Sequence, residues 1–212
     1  MTRLTAENLS KAYVSDNYIF RGISFEIPAG KALCVFGPNG SGKSTLLKLL
    51  AGAMQPNDGK IILNINDEII PKEKRFSRIG FIAPYLNLYD EFTTIETARI
   101  LAGMRGSEFS ASRLEEFSET LGMTEYINKP IGEFSSGMKQ RAKYLLAMIH
   151  SPELLLIDEP STNLDEAGYS AVVGLIRSHL GSGGLLAIAT NEKRDKELAN
   201  QFIELKINKD KL

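Results

Sequence analysis

The nine residues Gly37-Pro38-Asn39-Gly40-Ser41-Gly42-Lys43-Ser44-Thr45 restrict the fold of this chain more than any other segment. They meet the pattern G-x-x-x-x-G-K-[ST] at every fixed position and directly follow the apolar, strand-like run Ala32 to Phe36. Behind them Leu46, Leu47, Leu49 and Leu50 continue as a helix from about Gly42 to Ala51, which Gly52 stops. Glycines allow backbone conformations closed to other residues. Consecutive N–H groups therefore turn inward around an anion, with the positive end of the helix behind them. Lys43 then reaches the terminal phosphates of a nucleoside triphosphate and Ser44 its magnesium ion. A glycine-rich turn that only joins strand to helix is the bland alternative.

The rest of the chain alternates. Leu4 to Leu9, Tyr18 to Ile27 and Lys60 to Ile65 read as strands, Asn66-Asp67 as a tight hairpin turn, and Ile79 to Ala83 as a further strand ended by Pro84. From Thr93 the pattern turns helical: Thr93-Thr94-Ile95-Glu96 has capping-box spacing, and helices are predicted through Ala102, over Ser110 to Leu121 and over Ser135 to His150. Leu154 to Ile157, Leu185 to Ala189 and Phe202 to Leu205 then read as strands around helices near Asp165 to Leu180 and Lys193 to Asn200. Strands alternating with helices imply an α/β fold with parallel sheet built from crossover units, interrupted by an inserted helical block. There is no internal repeat and no low-complexity tract.

Leu154-Leu155-Leu156-Ile157-Asp158-Glu159 is an apolar run ending in two acids, the pattern of a buried strand that delivers carboxylates to the ligand-binding edge of an open sheet. Asp158 suits magnesium, which keeps several waters and takes few protein oxygens. Glu159, pointing elsewhere, suits orienting or deprotonating an attacking water. Alone, such a run could be a mere strand end; together with the loop at Gly37 it is a second half of one site.

Composition removes other classes. With 25 Lys and Arg against 26 Asp and Glu in 212 residues, the chain has no basic field for nucleic acid. No apolar run reaches the roughly 18 residues of a membrane span, and Met1-Thr2-Arg3-Leu4 does not open a secretory signal, so a cytoplasmic location is expected. The single cysteine, Cys34, is expected to be a small buried residue. His150 and His179 lie near helix ends, where interaction with the helix C-terminus is the expected role rather than catalysis or metal binding.

Phe134-Ser135-Ser136-Gly137-Met138-Lys139-Gln140-Arg141, about twenty residues before Asp158, resembles the L-S-G-G-Q signature of ATP-binding cassette proteins. Pro160-Ser161-Thr162-Asn163-Leu164-Asp165 resembles that family's loop after the catalytic acid, and Tyr13 lies where the family stacks an aromatic ring on adenine, although edge or core packing is its rival reading. The resemblance covers nearly the whole chain. It implies a P-loop NTPase (RecA-like) core with an N-terminal antiparallel β subdomain, the core being about 1–83 and 151–212, and a helical subdomain at 84–150. It implies two cofactors, ATP and Mg2+. It further implies a head-to-tail homodimer in which Gly37–Thr45 of one copy and Ser135, Ser136 and Gly137 of the other sandwich each ATP, with Asp165 at the seam. A helix cap is the plainer use of Ser135. The implied partner is a separate transmembrane permease subunit docking near residues 84–92, with the protein peripheral on the cytoplasmic face of the membrane.

Two departures stand out. Pro84 occupies the place of a glutamine that helps hold the metal, and Asn87 is a candidate substitute; Tyr85, Leu86, Leu88 and Tyr89 suit either a partner helix or the core. Asn191 replaces a histidine at the terminal phosphate: its amide still donates a hydrogen bond but cannot become cationic. Met138 and Ser136 are milder departures within the signature. The reading is an ATPase subunit of a transporter, with Glu159, Lys43 and Asn191 in the chemistry. The rivals are a soluble assembly factor with the same cassette and a weakly hydrolysing nucleotide switch.

Overall fold

A computed structural model describes residues 1–14 and 17–207 of the chain. Nine strands and six helices are present among them: β1 (Arg3–Val14), β2 (Asn17–Pro28), β3 (Ala32–Phe36), α1 (Lys43–Leu50), β4 (Asp58–Ile65), β5 (Glu68–Ile69), β6 (Ile79–Ile82), α2 (Thr94–Arg105), α3 (Ala111–Thr120), α4 (Ser136–Met148), β7 (Leu154–Asp158), α5 (Glu166–Gly181), β8 (Leu185–Ala189), α6 (Lys193–Lys196) and β9 (Gln201–Glu204). They form an antiparallel sheet in the order β2-β1-β4-β5 and a parallel sheet in the order β6-β7-β8-β3-β9.

Period-two alternation explains why the parallel strands read as unbroken apolar runs. Leu33, Val35, Leu154, Leu156, Leu185 and Ala187 face α1 and the antiparallel sheet in one apolar cluster. Their neighbours Cys34, Leu155, Ile157, Leu186 and Ile188 share the other cluster with residues of α2 to α5, such as Ala98, Leu114, Phe117, Leu145 and Val172. Both faces are covered, so both phases of the alternation must be apolar. Each fully buried Leu or Ile contributes roughly 1.5–3 kcal/mol relative to exposure. Cys34 is fully buried as expected, and burial pushes its thiol up to about 11.

The turn chemistry matches the sequence closely. Asn66 and Asp67 take φ of 51° and 69° and join β4 to β5, the two-residue hairpin geometry in which both central residues are left-handed. Thr93 and Glu96 form the reciprocal capping box of α2: Glu96 N donates to Thr93 Oγ1 at 3.2 Å and Thr93 N to Glu96 Oε2 at 2.8 Å. The short 3-10 segment Lys72–Arg78 before β6 has no counterpart among the elements expected from the sequence.

The histidine expectation is overturned. His150 follows the C-terminal end of α4, but burial, with Arg105 and Arg113 nearby, holds its pKa down to about 3. His179 is likewise lowered by burial, its Nε2 lying 3.0 Å from the Leu185 carbonyl oxygen. Both rings stay neutral near pH 7, so neither supplies the positive charge a helix C-terminus would attract.

Strand order positions the site. In the parallel sheet β8 lies between β7 and β3, and all three run the same way. Their C-terminal ends therefore bring residues 158–159, 190–191 and the loop after Phe36 to one edge.

Candidate active site

The loop after β3 is held open by glycine. Gly37, Gly40 and Gly42 take φ of 143°, 82° and 101°. A Cβ on Gly37 would collide with the carbonyl oxygen of Leu205, and one on Gly42 with the Ile19 side chain, so no larger residue fits either place. Gly42 is the N-cap of α1 and no side chain caps the helix. The N–H groups of its first turn thus lack intrahelical partners and remain available to an anion. Ser41 Oγ is also buried without a hydrogen-bond partner among the described residues. Lys43 is buried, and its Nζ folds back to donate to the Gly37 carbonyl at 2.8 Å.

An open cavity of about 490 Å³ lies over this loop, lined by residues of the loop together with Tyr13, Ile19, Pro84, Tyr85, Asp158 and Glu159. Asp158 ends β7 and interacts with the Ser44 hydroxyl; burial raises its pKa, while that hydroxyl, Lys43 and Lys48 pull it down. Glu159 follows in a left-handed conformation, φ 51°, which costs a non-glycine residue about 1–2 kcal/mol. Its N–H donates to Ala189 O at 2.8 Å, extending the β7–β8 pairing by one residue. Burial also raises the Glu159 pKa, opposed first by a hydrogen bond from Thr190. The side chains of Asp158 and Glu159 both line the cavity wall.

Tyr13 is 63% exposed, so core packing is not its role. Its hydroxyl lies 3.1 Å from Thr45 Oγ1, placing the ring at the mouth of the cavity. Asn191 Oδ1 accepts from Gly37 N at 3.3 Å and its Nδ2 donates to Asn39 Oδ1 at 3.4 Å, so the amide is engaged with the loop itself.

The departure at Pro84 resolves differently from the sequence reading. Asn87 is exposed and does not line the cavity; Tyr85 does, with the Lys48 ammonium 4.3 Å from the centre of its ring. Tyr85 is the residue that sequence reasoning missed here. Its signal was an aromatic beside the substituted position, hidden among four similar residues. Of those, Leu88 packs against the core, whereas Tyr85, Leu86 and Tyr89 are exposed.

Ser135, Ser136 and Gly137 do not join this cavity. Ser135 is the N-cap of α4, its Oγ accepting from Met138 N at 3.2 Å, so the cap reading and the signature position coincide. A Cβ on Gly137 would lie 3.0 Å from the Asn163 carbonyl oxygen. Asp165 caps α5 through Gly168 N at 2.9 Å and pairs with Arg141 at 2.6 Å; these two contacts hold its carboxyl below the usual range.

The family model described as ABC transporter matches residues 20–162, a span that holds the loop, the signature and both acids. The chain belongs to that family. The cassette is 30% identical over 200 residues to the lantibiotic transport ATP-binding protein SrtF of Streptococcus pyogenes, covering 94% of this chain and 85% of that one. It is 32% identical to the lipoprotein-releasing system ATP-binding protein LolD of Legionella pneumophila, over 95% and 94% of the two chains. Among solved structures it superposes on an ATP-binding subunit of an ABC transporter with a TM-score of 0.83 at 25% identity, covering 96% of this chain and 87% of the other. The cassette is thus an ATP-binding protein and an ATPase by family, and its two sheets with helices are the fold of that family. No helix among the described residues is long and apolar enough to cross a membrane.

Proposed function

We propose that this cassette binds Mg-ATP between two copies of itself and hydrolyses it to drive a separate membrane-spanning subunit docked at residues 84–92, on the cytoplasmic face. The observation that carries the reading is the joint placement of the glycine loop, Asp158 and Glu159 around one cavity that excludes Ser135–Gly137. An anion site at the start of α4 that is absent from its own chain's cavity is available to a nucleotide held by a second copy.

Lys43 moves from the Gly37 carbonyl to the terminal phosphates, and the N–H groups of the loop and the first turn of α1 bind the remaining phosphate oxygens. Tyr13 packs on the base. Ser44 and Asp158 would hold Mg2+, a hydroxyl and a carboxylate being hard oxygen donors that leave room for phosphate and water, and the ion would neutralise charge on the transferred phosphoryl group. Glu159 accepts the proton of the attacking water, and burial raises its pKa, which makes its carboxylate a stronger base. Asn191 holds the loop and donates to phosphate without supplying positive charge.

Movement reaches the docking loop through α4. Lys143 Nζ donates to the Ala83 and Pro84 carbonyls at 3.3 Å each, and Lys139 pairs with Asp90 at 2.7 Å. The exposed Lys139 pair contributes about 1 kcal/mol at most, so the partly buried Lys143 is the main tie. In this reading the 84–150 helical subdomain carries Leu86, Tyr89 and Phe92 to the partner's helices as the nucleotide sandwich closes.

The test is phosphate release by the purified chain with Mg-ATP, wild type against Glu159→Gln. Turnover reduced at least a hundredfold with ATP binding retained supports the assignment; normal turnover in the variant sinks it.

A further inference from the structure

Asn191 turns its amide to the loop, accepting from Gly37 N and donating to Asn39 Oδ1. The group that does touch Glu159 is the residue before it. Thr190, fully buried, places Oγ1 3.3 Å from Glu159 Oε2. The same oxygen lies 2.8 Å from Asp195 Oδ2 and accepts from Glu192 N at 3.0 Å.

Three contacts on one hydroxyl fix its rotamer: one to Glu159, directly after β7, one to Asp195 on α6 and one from Glu192 at the N-cap of α6. Thr190 N donates to Val35 O at 3.1 Å, anchoring the backbone to β3, and Glu159 N is bonded to the neighbouring Ala189 O. Asp195 is fully buried on α6 and has no ion pair among the described residues. It receives a second hydrogen bond from Ser161 Oγ at 3.1 Å, and burial together with this carboxyl pushes the Tyr169 phenol upward. A threonine hydroxyl has a single hydrogen. That hydrogen is shared between two acceptors, Asp195 Oδ2 at 2.8 Å and Glu159 Oε2 at 3.3 Å, so the contact to Glu159 is the longer arm of the pair.

We propose that Thr190 is the positioning residue for the Glu159 carboxylate, its hydroxyl being set in place by Asp195 on α6 and by the Glu192 N–H. This rests on the reading of Glu159 as the base. Glutamate has several rotatable bonds; tethering Oε2 leaves Oε1 to face the attacking water in a narrow range of orientations, and loss of the tether lowers turnover without touching the phosphate cradle.

The experiment compares Thr190→Val, which keeps the shape and removes the hydroxyl, with Thr190→Ser, which keeps the hydroxyl. Steady-state ATP hydrolysis, binding of a fluorescent ATP analogue and thermal unfolding are followed for each. Thr190→Val is expected to lower kcat about tenfold with nucleotide Kd within about twofold, and Thr190→Ser to recover most of the loss. In the Glu159→Gln background, Thr190→Val is expected to add no further loss, since the group it positions is gone. Wild-type kcat in Thr190→Val, or a loss that Thr190→Ser does not recover, overturns the proposal while leaving Glu159 as base. If Thr190→Val fails to fold, kcat of Thr190→Ser is measured beside that of Asp195→Ala: wild-type rates in both overturn the proposal, and a selective kcat loss in Asp195→Ala supports it. Normal turnover in Glu159→Gln alone overturns the base assignment instead.

Discussion

Single atoms decide the chemistry of this site. Lys43 Nζ sits on the Gly37 carbonyl, within the loop it must serve, so Lys43→Ala removes the only buried ammonium in the cavity wall among the described residues. ATP affinity is expected to fall at least tenfold, measured by equilibrium binding, with little change in unfolding temperature. Gly37→Ala acts on the backbone instead: the added Cβ meets the Leu205 carbonyl oxygen at φ 143°, and both loop geometry and β9 pairing suffer. The expected result is lost ATP binding together with a destabilisation of about 1–3 kcal/mol in denaturant unfolding. Asn191→His introduces a ring that can carry charge beside the loop; hydrolysis is expected to rise severalfold, and an equal or lower rate would count against the assigned role.

At the level of elements, the sequence carried most of the architecture because its strongest signals were local. The apolar runs of β3, β7 and β8, the capping box at Thr93 and the Asn66-Asp67 turn are each set by neighbouring residues, and each forms as the pattern requires. What escaped depends on contacts distant in sequence. Tyr85 lines the cavity over the loop with Lys48 of α1 4.3 Å from its ring centre, and Thr190 meets Glu159 only because β8 lies beside β7. His150 shows the same limit: position at a helix end suggested a cation, but burial near Arg105 and Arg113 lowers its pKa to about 3. The unfolded chain, with an ordinary histidine pKa near 6.5, then binds a proton that the folded chain rejects. This contribution is full above about pH 6.5 and is lost as pH falls toward 3. Urea unfolding at pH 7.5 and 5.5 is expected to show a loss on the order of 1 kcal/mol in the wild type that is smaller in His150→Gln. An identical pH dependence in the two would contradict the buried neutral ring.

On the scale of the whole molecule, the cavity over the glycine loop does not include the start of α4, which Ser135 caps. Exposed Leu86, Tyr89 and Phe92 lie in a segment whose start is tied to α4 through Lys143, and under the proposed function closing the sandwich and moving a membrane partner are one event. Serine at Tyr89 and Phe92 is expected to weaken association with that partner while leaving the isolated ATPase rate unchanged, as read by co-purification and phosphate release. The closest test of the central claim is the mass in solution, by light scattering, of Glu159→Gln with saturating Mg-ATP. The expected result is a dimer with ATP and a monomer without it. A monomer under both conditions, at every concentration reached, would contradict the shared-nucleotide mechanism.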